Sequence, residues 1–585
     1  MTTRTISGYY SNSYDISSNV SQLQITARGG FYRGVTSYHY ATISNAGRLG
    51  VGASVGFYSK GVYVEAGGEI INSPTGYIAG RYGVVGEAVT RVINYGTIAA
   101  YSPYGSQGVY LGGGGSVTNG SATATVALIE ANAGVHIIGA AGTVTNFGTV
   151  EGRSGAGVFL AAGGTVTNGG GVDRTATIEG SYGVLNANGT VKNFGTIVGS
   201  NTGVLMIQGA LTNGSLNNRQ ALVEGYNGAS LNGSAVSTNF GTILGAGDTG
   251  GYGVYMGGGA SLTNGAAGHA RATVEGFVGV DAAGYANTVI NFGTISGAAG
   301  VAVQFFSAAD VLAVEAGCEF DGQVLGGGGT LDLASGTGTL TGNLAGGTVT
   351  VSGSMAATAF QAFNTVEVGA GATFATSGAV TIKAGQSVID AGALTLGKST
   401  AGVANAGIVE TLGGTMTVAG AVTGLGHAIV DGGTLDFASA FNQNVTFTAA
   451  TVGIMELARS QSYTATITGF SKTGKTSLDL DDIAFVSAGE ATYSGTTTSG
   501  VLTVTDGTHT AQINLKGNYL SSAFIAASDG HGGTIVHDPK TLAAPPQALI
   551  AAMAALGAGG AGLEWGASYR PHAPPTLVGP RAQVA

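Results

Sequence analysis

The chain has 585 residues, of which 107 are glycine, about 18% and well short of the one third that a collagen repeat requires. Only 9% are charged while 44% are apolar, which excludes disorder as the main state. The net charge of −10, from 21 basic and 31 acidic residues, argues against nucleic acid as a partner, since phosphate binding depends on Lys and Arg.

Residues 1–40, rich in Tyr, Ser and Asn, are expected to form an N-terminal cap. They contain no apolar core of the kind a Sec signal peptide carries, so export, if it occurs, is expected to use another route. From residue 41 a repeat sets in. Asn-(Phe/Tyr)-Gly-Thr-(Ile/Val) occurs at Asn94, Asn146, Asn193, Asn239 and Asn291, and Val/Leu-Thr-Asn-Gly at Asn119, Asn168, Asn213 and Asn264. With weaker copies at Asn45 and Asn72 the mean interval, (291 − 45)/10, is about 25 residues, a period typical of stacked repeats. A second marker, Gly-Val, keeps the same beat from Gly61 through Gly108 and Gly134 to Gly300, with Gly228-Ala229 as the exception.

Each unit holds three short β-prone runs, for example Gly108-Val-Tyr-Leu, Ser116-Val-Thr-Asn and Ala127-Leu-Ile-Glu. Alternating apolar positions read as strands and the Gly-rich joints as turns, leaving no room for a helix. A single unit cannot bury its own apolar side, so successive units must stack. The expected fold is all-β, a right-handed parallel β-helix (β-solenoid) over 41–325, whose eleven coils would make a rod of roughly 50 Å. Asn94, Asn119, Asn146, Asn168, Asn193, Asn213, Asn239, Asn264 and Asn291 are expected to form a structural ladder of amide hydrogen bonds at one corner. Tyr95, Phe147, Phe194, Phe240 and Phe292 recur every second coil and are expected to stack.

Residues 326–443 read as a continuing solenoid with shorter coils. Their seven markers are Thr330-Leu-Asp-Leu, Thr348-Val-Thr-Val, Thr365-Val-Glu-Val, Ala379-Val-Thr-Ile, Ala393-Leu-Thr-Leu, Thr415-Met-Thr-Val and Thr434-Leu-Asp-Phe, and the mean spacing, (434 − 330)/6, is about 17 residues. Residues 444–540 lose the repeat and are expected to form a β cap that stops strand addition at the end of the stack. Residues 541–585 read as a flexible Pro/Ala-rich tail with a short helical piece at 547–556. The longest apolar stretch, 548–563, is 16 residues, short of the ~20 that a membrane-spanning helix needs. Cys318 is the single cysteine, which excludes an intramolecular disulfide and a cysteine zinc site.

Three groups of residues carry chemistry. Glu130, Glu151 and Glu179 fall on successive coils and could stack at ~5 Å steps, with Glu224 and Glu275 further along. Such a row suits a glycosidase pair, a calcium cage, or simply solvent-facing strand ends. In the cap, Asp479, Asp481 and Asp482 are candidate calcium ligands, with Asp506 and Asp529 on nearby Asp-Gly turns. Asp173, Asp248, Asp281, His136 and His269 fall on different parts of the repeat and form no converging catalytic set. The chain is therefore expected not to be an enzyme.

Residues 41–305 resemble the repeats of autotransporter passenger domains and haemagglutinin-like surface proteins, on phrases such as Val144-Thr-Asn-Phe-Gly-Thr-Val-Glu-Gly. Phe363-Asn-Thr-Val-Glu-Val-Gly-Ala-Gly is similar to the same group. Thr476-Ser-Leu-Asp-Leu-Asp-Asp-Ile and Ser528-Asp-Gly-His-Gly-Gly-Thr-Ile-Val resemble a C-terminal module of large secreted proteobacterial surface proteins. The resemblance implies an extracellular or cell-surface protein acting in adhesion, matrix or self-association, with glycans, proteins or itself as partner. It also implies type I secretion, with 547–556 as part of an uncleaved signal. A polysaccharide lyase or glycoside hydrolase is the alternative. An ice- or crystal-binding face, suggested by Thr348/Thr350 and Thr415/Thr417, is a third.

Overall fold

A computed structural model describes residues 2–50, 59–102, 105–171, 174–247, 249–448 and 451–539. The expected tail with its helical piece and secretion signal, and Asp173 and Asp248, lie outside the described residues. The chain is 58% strand and winds as a β-solenoid of about 20 turns. One coil illustrates the plan. Thr90–Asn94 lies on a first sheet, A; Thr97–Ala100 on a second, B; and Gln107–Leu111 on a third, C. Each pairs in parallel with its counterpart one coil later: Gly115–Asn119, Leu128–Ala131 and Ala133–Ile137. No described helix is long and apolar enough to cross a membrane.

Strand alternation explains the core. Val92, Val117 and Val144 on sheet A, Ile98, Ile129 and Val150 on B, and Val109, Val135 and Val158 on C all point inward and are fully buried. Three columns of β-branched side chains thus meet along the axis, where a charge would have no water and no partner. Glycine lets the coil turn from B to C. A Cβ on Gly108 would lie 2.6 Å from Ile129 Cγ2 and 2.7 Å from the oxygen of Gly134. At the end of this series Ala302, not Gly300, holds the equivalent place, because Val280 pairs with Val303.

The asparagines end the strands of sheet A. From Asn45 to Asn291, Nδ2 of each donates to Oδ1 of the next at 2.7–3.0 Å. Every one is fully buried. The row stops at Asn291, where Val314 takes the next position in register.

The step from sheet A to sheet B alternates. It takes 149 − 146 = 3 residues after Asn146 but 177 − 168 = 9 after Asn168, so every second coil carries a protruding loop. This overturns the expected aromatic stack. Phe147, Phe194, Phe240, Phe292 and Tyr95 sit on the short corners, two coils or about 9.6 Å apart, too far for ring contact. They fill the space between loops instead: a Cβ on Gly120 would meet Phe147 Cβ at 3.4 Å, and one on Gly170 would meet Phe147 Cε1 at 3.5 Å.

Two expected boundaries and one coil length are corrected. Residues 1–40 form no separate cap, because Thr3–Ile6, Tyr9–Tyr10 and Tyr14–Asp15 already pair in parallel with the following coil. After residue 365 the register runs Thr365, Ser387, Ile408, His427, Asn444. These coils are longer than expected: (444 − 365)/4 is about 20 residues, at the short end of known solenoid repeats. The smaller expected spacing mixes strands of different sheets, and Thr348–Gly353 is an antiparallel insertion between Thr337–Gly342 and Thr358–Gln361. Parallel coils also run on to Thr476–Leu480. The antiparallel cap begins later: a meander of Ala491–Gly495, Ser499–Thr505 and Thr510–Lys516, then the hairpin Ile525–Ser528/Thr534–His537, whose second strand pairs antiparallel with Thr476–Leu480.

Candidate functional site

Two carboxylate rows stand on the outside of sheet B, and their surroundings differ. In the first, Glu130, Glu151 and Glu179 are in direct register on consecutive coils. Arg153 holds it together: Nη2 lies 2.6 Å from Glu130 Oε2 and Nε 3.2 Å from Glu151 Oε1. The Tyr101 hydroxyl donates to Glu130, and the Arg153 guanidinium lies 5.1 Å above the Tyr101 ring. Burial, and then this hydrogen bond, hold the Tyr101 hydroxyl well above the usual phenol range, so it stays a donor. Glu130 and Glu151 are therefore paired with Arg153 within the chain.

The asparagine marker does not reach the second row, of which only Asp436 falls in one of the shorter-coil markers. Asp436, Glu456 and Asp479 occupy the same outward position on three consecutive coils, at Thr434-Leu-Asp-Phe, Ile454-Met-Glu-Leu and Ser477-Leu-Asp-Leu. No ion pair between described residues reaches any of them. Burial first, then the neighbouring acids, raises Glu456 from 4.5 to about 7 and Asp479 from 3.8 to about 6. Burial is also the main cause that pushes Asp436 and Asp481 up.

The cap hairpin folds over the end of this row. One carboxylate oxygen each from Asp479, Asp481 and Asp529 lie within 4.8 Å of one another. They line an open cavity of about 730 Å³ together with Glu456, Ser528, His531 and Gly533. Asp529 is fixed by its turn: Oδ1 accepts from the backbone N–H of His531 at 2.7 Å and of Gly532 and Gly533 at 2.9 Å. Asp479 Oδ1 is shielded from solvent and has no hydrogen-bond partner.

Of the three expected ligands, Asp479 and Asp481 come together and Asp482 does not. Asp482 turns the other way, accepting at Oδ1 from the N–H and hydroxyl of Ser460 and at Oδ2 from Gln461, which anchors the 3-10 turn Ser460–Ser462. Asp529 takes its place. Asp506 is likewise a turn residue, accepting from the N–H groups of Thr508 and His509 at 2.7 and 2.6 Å.

The donor set is all oxygen and acidic, the chemistry of a hard cation. Oxygens on opposite sides of one calcium, at ~2.4 Å each, are about 4.8 Å apart, and the three oxygens here lie within that span of one another. Asp479, Asp481 and Asp529, with Glu456 beside them, are the residues that could hold it. The other residues weighed for catalysis stay apart. His136 stacks on Phe159 at 4.7 Å, His269 Nδ1 lies 2.7 Å from Arg219, and Asp281 is separated from His136 along sheet C by Phe159, Leu185, Leu205, Ser230 and Tyr255. Comparison with protein-family models, curated proteins and solved structures finds no match for this chain.

Proposed function

We propose that the chain is an exported, non-catalytic surface protein, a rigid rod that presents repeated faces for adhesion, matrix building or self-association. The observation that carries this reading is the regular stack itself. The buried Asn45–Asn291 row fixes the coils it spans against one another, so groups on these successive coils recur at constant spacing. Repeated weak contacts on a stiff scaffold bind by avidity. In the same reading, calcium bound by Asp479, Asp481 and Asp529 closes the cap in the extracellular medium, and residues 541–585 carry the export signal. Fractionation of the native cell is the test. Recovery at the surface or in the medium is expected, with loss of export on deleting 541–585; a purely cytosolic protein overturns the reading.

A second reading, a polysaccharide-cleaving enzyme, draws on the cap cavity. Glu456, half protonated near neutral pH, stands beside Asp479 and Asp481, and paired carboxylates of unequal acidity are what glycoside hydrolysis uses. Release of reducing ends from a polysaccharide panel, lost in Glu456→Gln, would favour it.

A further inference from the structure

The protruding loops of sheet A and the later glutamates of sheet B share one period. The loops that follow Asn168, Asn213 and Asn264 carry Arg174, Arg219 and Arg271, and the B strands of those same coils carry Glu179, Glu224 and Glu275. All three arginines are exposed, as are Glu179 and Glu275, and Glu224 is partly so. The coils between have Val198 and Leu244 in the glutamate position. Both rows therefore repeat every second coil, about 9.6 Å, along two parallel lines on one side of the rod.

The arginine line is an ordered crest. Arg174 Nη1 donates to Gln220 Oε1 at 2.5 Å, and Arg219 Nη2 lies 2.7 Å from His269 Nδ1, so each loop is tied to the next. Each contact uses one of the five guanidinium donors, and the side chains remain exposed. No ion pair between described residues joins the crest to the glutamate row. The contrast with the preceding part of the rod is internal. The loop after Asn119 has no arginine, and there Glu130 is neutralised within the chain by Arg153.

We propose that this face binds a second copy of the chain, side by side, the arginine crest of each rod against the glutamate row of its partner. The inference deepens the surface-rod reading by naming the face through which such rods self-associate. Symmetry fixes the arrangement. A twofold axis parallel to the rods exchanges the left and right edges of the facing surfaces and keeps height unchanged. It sets Arg174 opposite the partner's Glu179, Arg219 opposite the partner's Glu224 and Arg271 opposite the partner's Glu275, and the same three contacts again in reverse. A twofold axis across the rods would instead set arginine against arginine. The rods in the pair therefore point the same way. Thr177, Thr242 and Thr273 lie between the two lines and form the middle of the contact.

Exposed pairs of this kind are individually weak and screened by salt, so the association is reversible and steeply ionic. Sedimentation velocity of the full chain tests it. In low salt the expected result is a concentration-dependent monomer–dimer equilibrium that weakens at least tenfold on raising NaCl to about 0.5 M. The triple reversal Arg174→Glu/Arg219→Glu/Arg271→Glu should be monomeric, as should Glu179→Arg/Glu224→Arg/Glu275→Arg. Mixing the two variants should restore one dimer, of heterotypic composition. Circular dichroism matching the parent shows that each variant is folded. A parent chain that stays monomeric in low salt, a salt-insensitive dimer, or a mixture that fails to pair overturns the proposal. Cellular location plays no part in this experiment, so a cytosolic protein would sink the surface reading and leave the pairing to stand on its own result.

Discussion

Asn193 donates from Nδ2 to Oδ1 of Asn213 at 2.8 Å, and the same nitrogen reaches the backbone oxygen of Leu222 at 2.8 Å. Its own Oδ1 accepts from Asn168 at 2.9 Å and from the N–H of Gly195 at 3.2 Å. One fully buried amide thus joins three coils, and leucine there would strand the buried Oδ1 of Asn213 and take one of its acceptors from Asn168 Nδ2. Asn193→Leu is expected to lower stability by roughly 1–3 kcal/mol per stranded group. Urea denaturation measures it, and an unchanged midpoint counts against the row as a source of stability.

The alternation of loop and aromatic corners makes two coils, not one, the unit of repetition. Deleting 146–192 joins Thr145 to Asn193 and keeps the order of corners, so a folded rod about 9.6 Å shorter is expected. Deleting only 146–167 brings the loops after Asn119 and Asn168 onto neighbouring coils without Phe147 between them. The smaller deletion should melt at the lower temperature in calorimetry.

The cap should respond to pH and calcium together. Glu456 and Asp479 bind protons more tightly in the fold than their ordinary values of 4.5 and 3.8. Folding therefore takes up protons between those values and about 7 and about 6, and in metal-free buffer stability falls as pH rises through that window. Calcium above pH 7 should restore it, and at pH 4 should change little. Asp479→Asn should stabilise the metal-free cap at pH 8 and abolish the calcium response. Melting curves with chelator and with added calcium at both pH values decide the matter, and equal calcium effects in parent and variant would contradict the site.

Arg153 offers a control. Its pairs with Glu130 and Glu151 lie at the surface, with 45% of the arginine side chain exposed. Arg153→Ala should cost no more than about 1 kcal/mol by denaturant titration. A larger loss would mean that the glutamate row carries more of the fold than its exposure implies.

The legibility of the chain follows its regularity. Asn45 to Asn291 and Glu130 to Glu179 lie on sheets whose sequence markers are also their register, so equal spacing in sequence is adjacency in space. Asp436, Glu456 and Asp479 share a local pattern, an acid between two inward apolar residues. Their coils lack the asparagine marker, and the antiparallel insertion at Thr348–Gly353 interrupts the count. Asp482 is next to Asp481 in sequence and faces away from it, whereas Asp529 arrives through a hairpin much further along the chain, and no periodicity encodes a non-local antiparallel pairing. The aromatic residues show as a period, but that period says nothing of the corner lengths that keep their rings apart.

Small-angle X-ray scattering of the full chain tests the central claim most directly. About 20 coils at a rise of ~4.8 Å predict a rod roughly 100 Å long with a constant, narrow cross-section. A nearly spherical particle with a radius of gyration of roughly 25 Å, as expected for a compact chain of this length, would contradict it.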